Sequence, residues 1–207
     1  MVDFRNYYYW ISNPNNIKII ICKPYKSAKL SDISNPFGAN PQWYNGVPHN
    51  GVDWVSSYGT PLVAPELCIV DNIITDESIN ADLAPLSRGY GIILKGLISG
   101  KFHLYWHCLP MFPVKCGQTL KQGDVCAFMG NSGFVMTHGV VVPIELRTKS
   151  PYPGTHLHQE VFTFDSNSQR VYENPLKLVD FSIPISYNLL TSVMIIIKKI
   201  INLILKK

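Results

Sequence analysis

Three short segments carry side chains that could assemble a metal site. "HNGVD" places His49 and Asp53 four positions apart. Imidazole nitrogen and carboxylate oxygen are both good zinc ligands. "LYWHCL" sets His107 inside an aromatic-rich run, and "GTHLHQE" (Gly154 to Glu160) holds His156 and His158 on either side of Leu157. In a strand, alternate side chains share a face, so His156 and His158 project to one side and Leu157 to the other. Such a pair lets one imidazole bind a metal while the other works beside it. Each segment alone also has an ordinary reading. His-x-x-x-Asp arises by chance, His-x-His in a strand can be a plain pair, and a lone His107 can be a hydrogen-bonded core histidine.

These residues need strands to position them. A helix would bring His49 and Asp53 onto one face, but Gly51 and the Asn-, Pro- and Gly-dense stretch "SNPFGANPQWYNGVPHNG" before it read as loop. An extended or bulged segment can still turn both onto one ion. The 14 glycines, 15 prolines and 12% aromatic residues favour many turns and short strands over long helices. "IKIIIC" (Ile17 to Cys22) reads as a short buried strand, and "TPLVAPELCIV", "YGIILKGLISG" and "KFHLYWHCL" as strands of a mostly antiparallel structure. On strand alternation His103, Tyr105 and His107 share one face. "GTPLVAPE" and "GQTLKQGD" echo one another weakly, as a duplicated β motif would. Residues 134–153 are expected to include a strand over Val140 to Leu146 and to end in a proline-bracketed loop.

A length of 207 residues suits one domain with an appendage. With 46% hydrophobic and 15% charged residues, the composition excludes a disordered chain. A net charge of +4 suits an anionic surface such as cell wall or membrane. It is too small to indicate nucleic acid, and neither a recognition helix nor an aromatic platform reinforces that idea. The cysteines, Cys22, Cys68, Cys108, Cys116 and Cys126, are odd in number and lack Cys-x-x-Cys spacing. That pattern is neither a disulfide framework nor a zinc ribbon, and reduced thiols suit a reducing cytoplasm. The opening "MVDFRNYYYWISNPNN" has no basic region followed by an apolar run, so no secretory signal is expected. The final stretch, Leu189 to Lys207, has no Gly or Pro and gathers an apolar face on a helix, with Lys198 and Lys199 interrupting it. A basic amphipathic helix on a membrane or partner is expected there rather than a membrane span. Packing on the protein's own core is the other reading.

Taken in order, "HNGVD", "GTPLVAP", "GYGIIL", "LYWHCL", "GQTLKQGDVCAFMGNSG" and "GTHLHQEV" make the chain resemble the lysostaphin-type (LytM-like) zinc metallopeptidases, which cut peptide bonds in bacterial peptidoglycan. The resemblance runs from about Asn35 to Phe162. The family's His-x-x-x-Asp matches His49 and Asp53. Its central histidine after a strand tyrosine matches His107 after Tyr105, and its closing His-x-His matches His156 and His158. The implied fold is mainly β, with antiparallel sheets built on a duplicated hybrid motif. The implied organisation is an N-terminal segment over 1–33, a peptidase domain over 34–186 and a basic amphipathic helix over 187–207. The family's roles, carried over, make His49, Asp53 and His158 the ligands of one zinc ion per chain, with an open position for water. His107 and His156 become the catalytic histidines flanking that water.

The activity so implied is a zinc-dependent endopeptidase acting on stem or cross-bridge peptide bonds of peptidoglycan. Lacking a signal and carrying a basic tail, the chain would suit a phage lysin or virion-associated wall hydrolase. It would be made in the cytoplasm and act after lysis, in a particle, or by an unrecognised export route. Its partners would be peptidoglycan and, through the tail, an anionic membrane surface, with no nucleic acid. The alternative is a non-catalytic wall-binding module that activates another hydrolase, as in relatives that have lost ligands; here all the matching residues are present. A carrier domain is not expected, because Met129 is followed by Gly130 and no lysine follows for modification. Two departures stand out. The family's "GPHLHFE" is "GTHLHQE" here, with Thr155 and Gln159 in place of a proline and an aromatic. Residues 134–153 are also inserted between the "GNSG" turn and the last histidines. The insertion is expected at the substrate groove, with its His138 a surface or groove residue.

Overall fold

A computed structural model describes residues 20–39, 46–75, 89–137 and 139–181. Residues 1–19, His138 and the helix expected over 187–207 lie outside the described residues. The described chain is mainly β, and its principal sheets are antiparallel. The strands are β1 (Ile33–Asn35), β2 (Val52–Trp54), β3 (Pro61–Val63), β4 (Cys68–Ile74), β5 (Tyr90–Gly96) and β6 (Phe102–Cys108). They continue with β7 (Thr119–Leu120), β8 (Val125–Phe128), β9 (Met136–Thr137), β10 (Val140–Val141), β11 (Leu157–Phe164) and β12 (Arg170–Glu173).

The large sheet runs β1-β2-β11-β6-β5-β4-β7, and β12 also pairs with β11. Strand β11 is its hub. One edge of β11 pairs with β2 through Leu157 to Gln159 and with β12 through Val161 to Phe164, while the other edge pairs with β6. Strands β3 and β8 form a separate two-stranded sheet.

Alternation sorts side chains between two faces. Val52 and Trp54 on β2, Leu157 on β11, Tyr105 on β6 and Ile92 and Leu94 on β5 face one buried cluster. Leu62, Ala127 and Cys126, from the β3–β8 pair, close that cluster from the other side. Trp54 is fully buried, and its indole N–H donates to Gln159 Oε1 at 2.9 Å, which satisfies the one polar atom the ring brings inside. The opposite face carries a smaller apolar cluster, Ile93, Leu104 and Phe162, flanked by Phe102 and Trp106. Asp53 and His158 alternate with core residues and therefore stand on this second face.

Two local expectations change. Val140 to Leu146 is not one strand: Val140–Val141 pairs with Met136–Thr137, and Ile144–Arg147 is a single helical turn, α1. Pro143 lies between them. It has no N–H for a ladder, and its φ of −58° prepares the following turn. Half of "IKIIIC" lies outside the described residues; of the rest, Ile21 and Cys22 are buried and Ile21 forms an isolated parallel bridge with Val179. His107 does not stay on the face of His103 and Tyr105. Its φ of +60° breaks the alternation at the end of β6. Tyr105 points into the core and donates its hydroxyl to Val63 O at 3.0 Å, while the His107 ring reaches the opposite face.

His103 serves structure instead. Its Nε2 lies 2.8 Å from Glu66 Oε1, and Ser99 donates to the same oxygen from its hydroxyl at 2.6 Å. This buried cluster pins the turn between β5 and β6 to the start of β4. Burial alone would raise the Glu66 pKa, but the bond and charge of His103 and the two Ser99 donors outweigh it and hold it below the usual carboxylate value. A depressed carboxyl stabilises the fold above its unfolded pKa, and that contribution is lost as pH falls through the folded value. Glu66→Gln is therefore expected to cost about 1–3 kcal/mol at neutral pH and to flatten the acid limb of a thermal-midpoint-versus-pH curve.

Candidate metal centre

The register of β2 against β11 sets Asp53 directly opposite His158. His49 enters from the loop before β2. Asp53 Oδ1 then lies 2.8 Å from His158 Nδ1 and 3.2 Å from His49 Nε2, and the two imidazole nitrogens are 2.9 Å apart. A tetrahedral zinc with ligands at about 2.1 Å separates its donor atoms by about 3.4 Å, so this triangle needs only slight opening to fit one. The three residues are buried, and an isolated buried carboxylate among imidazoles calls for a cation or protons.

The outer ring nitrogens are each engaged away from the triangle. A carbonyl or carboxylate oxygen only accepts, so the ring nitrogen facing it must carry the hydrogen. His49 Nδ1 donates to Pro36 O at 3.2 Å, His107 Nδ1 to Ser132 O at 2.7 Å, and His156 Nδ1 to Gly154 O at 2.8 Å. His158 is turned the other way and donates from Nε2 to Glu160 Oε1 at 3.1 Å. The remaining nitrogen of each ring belongs to the site side. Asp53 is steadied as well, since Asn35 Nδ2 donates to its Oδ2 at 3.2 Å.

His107 and His156 sit beside this triangle with ring centroids 4.5 Å apart. His156 Nε2 is 4.0 Å from Asp53 Oδ1, and the His107 ring is 6.3 Å from that of His158. One turn braces both. Gly130 N donates to His107 O, Gly130 O accepts from His156 N at 3.2 Å, and Ser132 supplies the acceptor for His107 Nδ1. Ser132 Oγ in turn donates to Cys108 O at 2.7 Å. The "GNSG" segment is thus the clamp between the two histidines. Sequence reasoning saw only a turn there, because its contacts run through backbone atoms.

Electrostatics separate the residues. Burial would raise the Asp53 carboxyl, but hydrogen bonds from His158 and His49 and the nearby imidazoles hold it well below the usual range. Burial lowers His107 well below the ordinary imidazole value, with His156 and His158 adding to the effect. Burial lowers His156 too. For His158 burial also acts downward, but Asp53 and Glu160 prevail and raise it. At Nδ1 of His158 a proton and a metal ion are alternatives.

The insertion is tied to the same place. Arg147 from α1 is buried and donates to Val142 O, from Nε at 2.8 Å, and to Gly133 O. Asn131 Nδ2 donates to Arg147 O and Pro153 O, both at 3.0 Å. Val135 and Val142 pack where a Cβ of Gly154 would stand, and Gly154 at φ +76° supplies the carbonyl that orients His156. Sequence reasoning also passed over Glu160 and Asn35. Strand alternation could have found Glu160, two positions beyond His158 on the same face.

No family model matches the chain. A metalloprotease of Haemophilus influenzae, described as uncharacterized, is 28% identical over 151 residues. That match takes in 73% of this chain, which spans 25% of the relative's length. Among solved structures, LytU superposes with a TM-score of 0.51 at 24% identity, covering 74% of this chain and 87% of that one. The catalytic domain of the antimicrobial peptidase lysostaphin from Staphylococcus simulans gives 0.48 at 22% identity over 70% of this chain and 88% of its own. The fold is shared with LytU, and the resemblance to the lysostaphin-type peptidases holds at that level.

Gly51 tests the closeness of the site. A Cβ there would stand 2.5 Å from Gln159 O and 2.8 Å from His158 Cε1. Gly51→Ala should cost about 1–3 kcal/mol in thermal unfolding and shift the His158 ring resonances more than those of His103.

Proposed function

We propose that the chain is a zinc-dependent endopeptidase hydrolysing peptide bonds of bacterial peptidoglycan. One observation carries this reading: His49 Nε2, Asp53 Oδ1 and His158 Nδ1 converge within 3.2 Å, with two further imidazoles beside them. The shared fold and the metalloprotease relative support it. His49, Asp53 and His158 would hold the ion. Zinc in such a site supplies Lewis acidity and lowers the pKa of water toward about 7.

The chain's own residues supply the rest. His107 and His156 each donate from Nδ1 to a backbone carbonyl, so each presents Nε2 as a base toward the site. Burial favours their neutral form, which keeps both Nε2 atoms able to accept a proton near neutral pH. In this reading one of them takes the proton of the attacking water at Nε2 and delivers it to the departing amine. Formed on His156, the imidazolium would lie 4.0 Å from Asp53 Oδ1, whose negative charge stabilises it. Trp106, opposite His158 in the β6–β11 register, occupies the same sheet face and packs against the Ile93, Leu104 and Phe162 cluster.

The insertion would form one wall for the substrate. Tyr58 stacks on Tyr152 with centroids 4.2 Å apart, and Val140, Val141 and Leu146 present exposed apolar surface. In this reading the insertion selects among wall peptides and leaves the chemistry unchanged.

Purified protein should contain zinc at a stoichiometry of about one. It should clear a suspension of purified peptidoglycan, stop with a chelator and resume with added zinc. His158→Ala and Asp53→Ala should lose metal and activity together. His107→Ala should keep the metal and lose about 10²- to 10⁴-fold in rate. Metal loss in His107→Ala would break the division between ligands and bases. A metal-free wild type that still binds walls would replace this reading with a wall-binding module.

A further inference from the structure

Four histidines surround the site, and three anchor their outer nitrogen on a backbone carbonyl: His49 on Pro36, His107 on Ser132 and His156 on Gly154. His158 anchors on a side chain, the carboxylate of Glu160, and is also the one that turns Nδ1 inward. A backbone carbonyl is fixed by the fold. A side-chain anchor has to be held itself. Glu160 is fully buried. Asn50 Nδ2 donates to its Oε1 at 3.2 Å, and Arg170 lies 3.7 Å from its Oε2. The Arg170 guanidinium in turn rests over the Phe162 ring at 4.4 Å. Glu160 is therefore tied to His158 and Asn50 by hydrogen bonds through Oε1 and to Arg170 through charge.

We infer that Glu160 is a positioning residue of the metal centre, holding the His158 ring so that Nδ1 faces the ion and supplying a second negative charge behind it. The inference rests on the zinc reading above. A divalent ion held by two neutral imidazoles and Asp53 keeps a net charge of about +1, which is costly in a buried site. A carboxylate hydrogen-bonded to the outer nitrogen of a ligand histidine offsets that charge and makes the ring a better donor. Geometry adds a second reason. A histidine ring can present either nitrogen, and Glu160 makes one orientation favourable by accepting the Nε2 hydrogen. Gly51 leaves no room on that side for an alternative partner, since a Cβ there would stand 2.9 Å from Nε2.

The test measures zinc affinity by chelator competition, alongside the His158 Nε2–H signal in nitrogen-15 NMR spectra. Wild type, Glu160→Gln and Glu160→Ala are compared, with circular dichroism checking the fold. Glu160→Ala should weaken zinc binding about 10- to 100-fold and lose the protected Nε2–H signal. Glu160→Gln keeps an acceptor oxygen without the charge, so it should retain the signal and lose affinity by a smaller factor. If Glu160→Ala does not fold, Asn50→Ala and Arg170→Ala loosen the carboxylate while leaving it in place, and both should weaken zinc binding in the same direction. Folded Glu160→Ala with wild-type affinity and an intact Nε2–H signal would overturn the inference while leaving the enzyme reading standing. A wild type that binds no zinc would overturn both.

Discussion

The pairing of β2 with β11 is the constraint on which the site depends. It sets Asp53 against His158 on one face and Trp54 beside Gln159 on the other. Because the side-chain period of a strand is two, a slip of one residue would turn the carboxylate into the core and a core side chain onto the site. The slip is prevented from the core side. Trp54 and Leu157 are fully buried, and the indole hydrogen bond to Gln159 spans the same pair of strands. The metal triangle is thus held in register by hydrophobic burial on the reverse of the sheet, and its own polar contacts only refine a position already set.

That arrangement explains how so many titratable groups are tolerated below the surface. Buried polar atoms are costly unless paired. At this centre the pairing extends outward in short steps, from ring to carbonyl at His49, His107 and His156, and from ring to carboxylate to guanidinium at His158. The shifts follow from the surroundings. Burial pushes His107 and His156 toward neutrality, and the two carboxylates beside His158 draw it toward the charged form. The three rings therefore differ through their neighbours and not by residue type.

Much of this was legible in the sequence. The His-x-His alternation gave Leu157 to the core and both imidazoles to one face, because a regular strand obeys a simple period. The mainly β, antiparallel architecture followed from turn residues and short apolar runs. What escaped had a physical reason in each case. His107 sits at φ +60°, and a period-two reading cannot anticipate a residue that leaves the strand conformation. The "GNSG" clamp works through backbone oxygens and nitrogens, which leave no side-chain signature. Across Val140 to Leu146 an apolar run looks alike in strand and helix, and Pro143 divides it.

The hub strand also sets the order in which the molecule can be made. β11 lies between β2 and β6 in the sheet but follows both in the chain, and Asp53 and His158 are 105 residues apart. While a ribosome is still translating the insertion, β2 and β6 have no partner between them, and one of the three corners of the triangle, His158, does not yet exist. Closing so long a loop is entropically costly and slow. The sheet, the core behind it and the site in front of it can therefore be completed only after the strand carrying His158 has emerged. A nascent chain stalled before that point holds neither a finished core nor the His158 corner of the triangle.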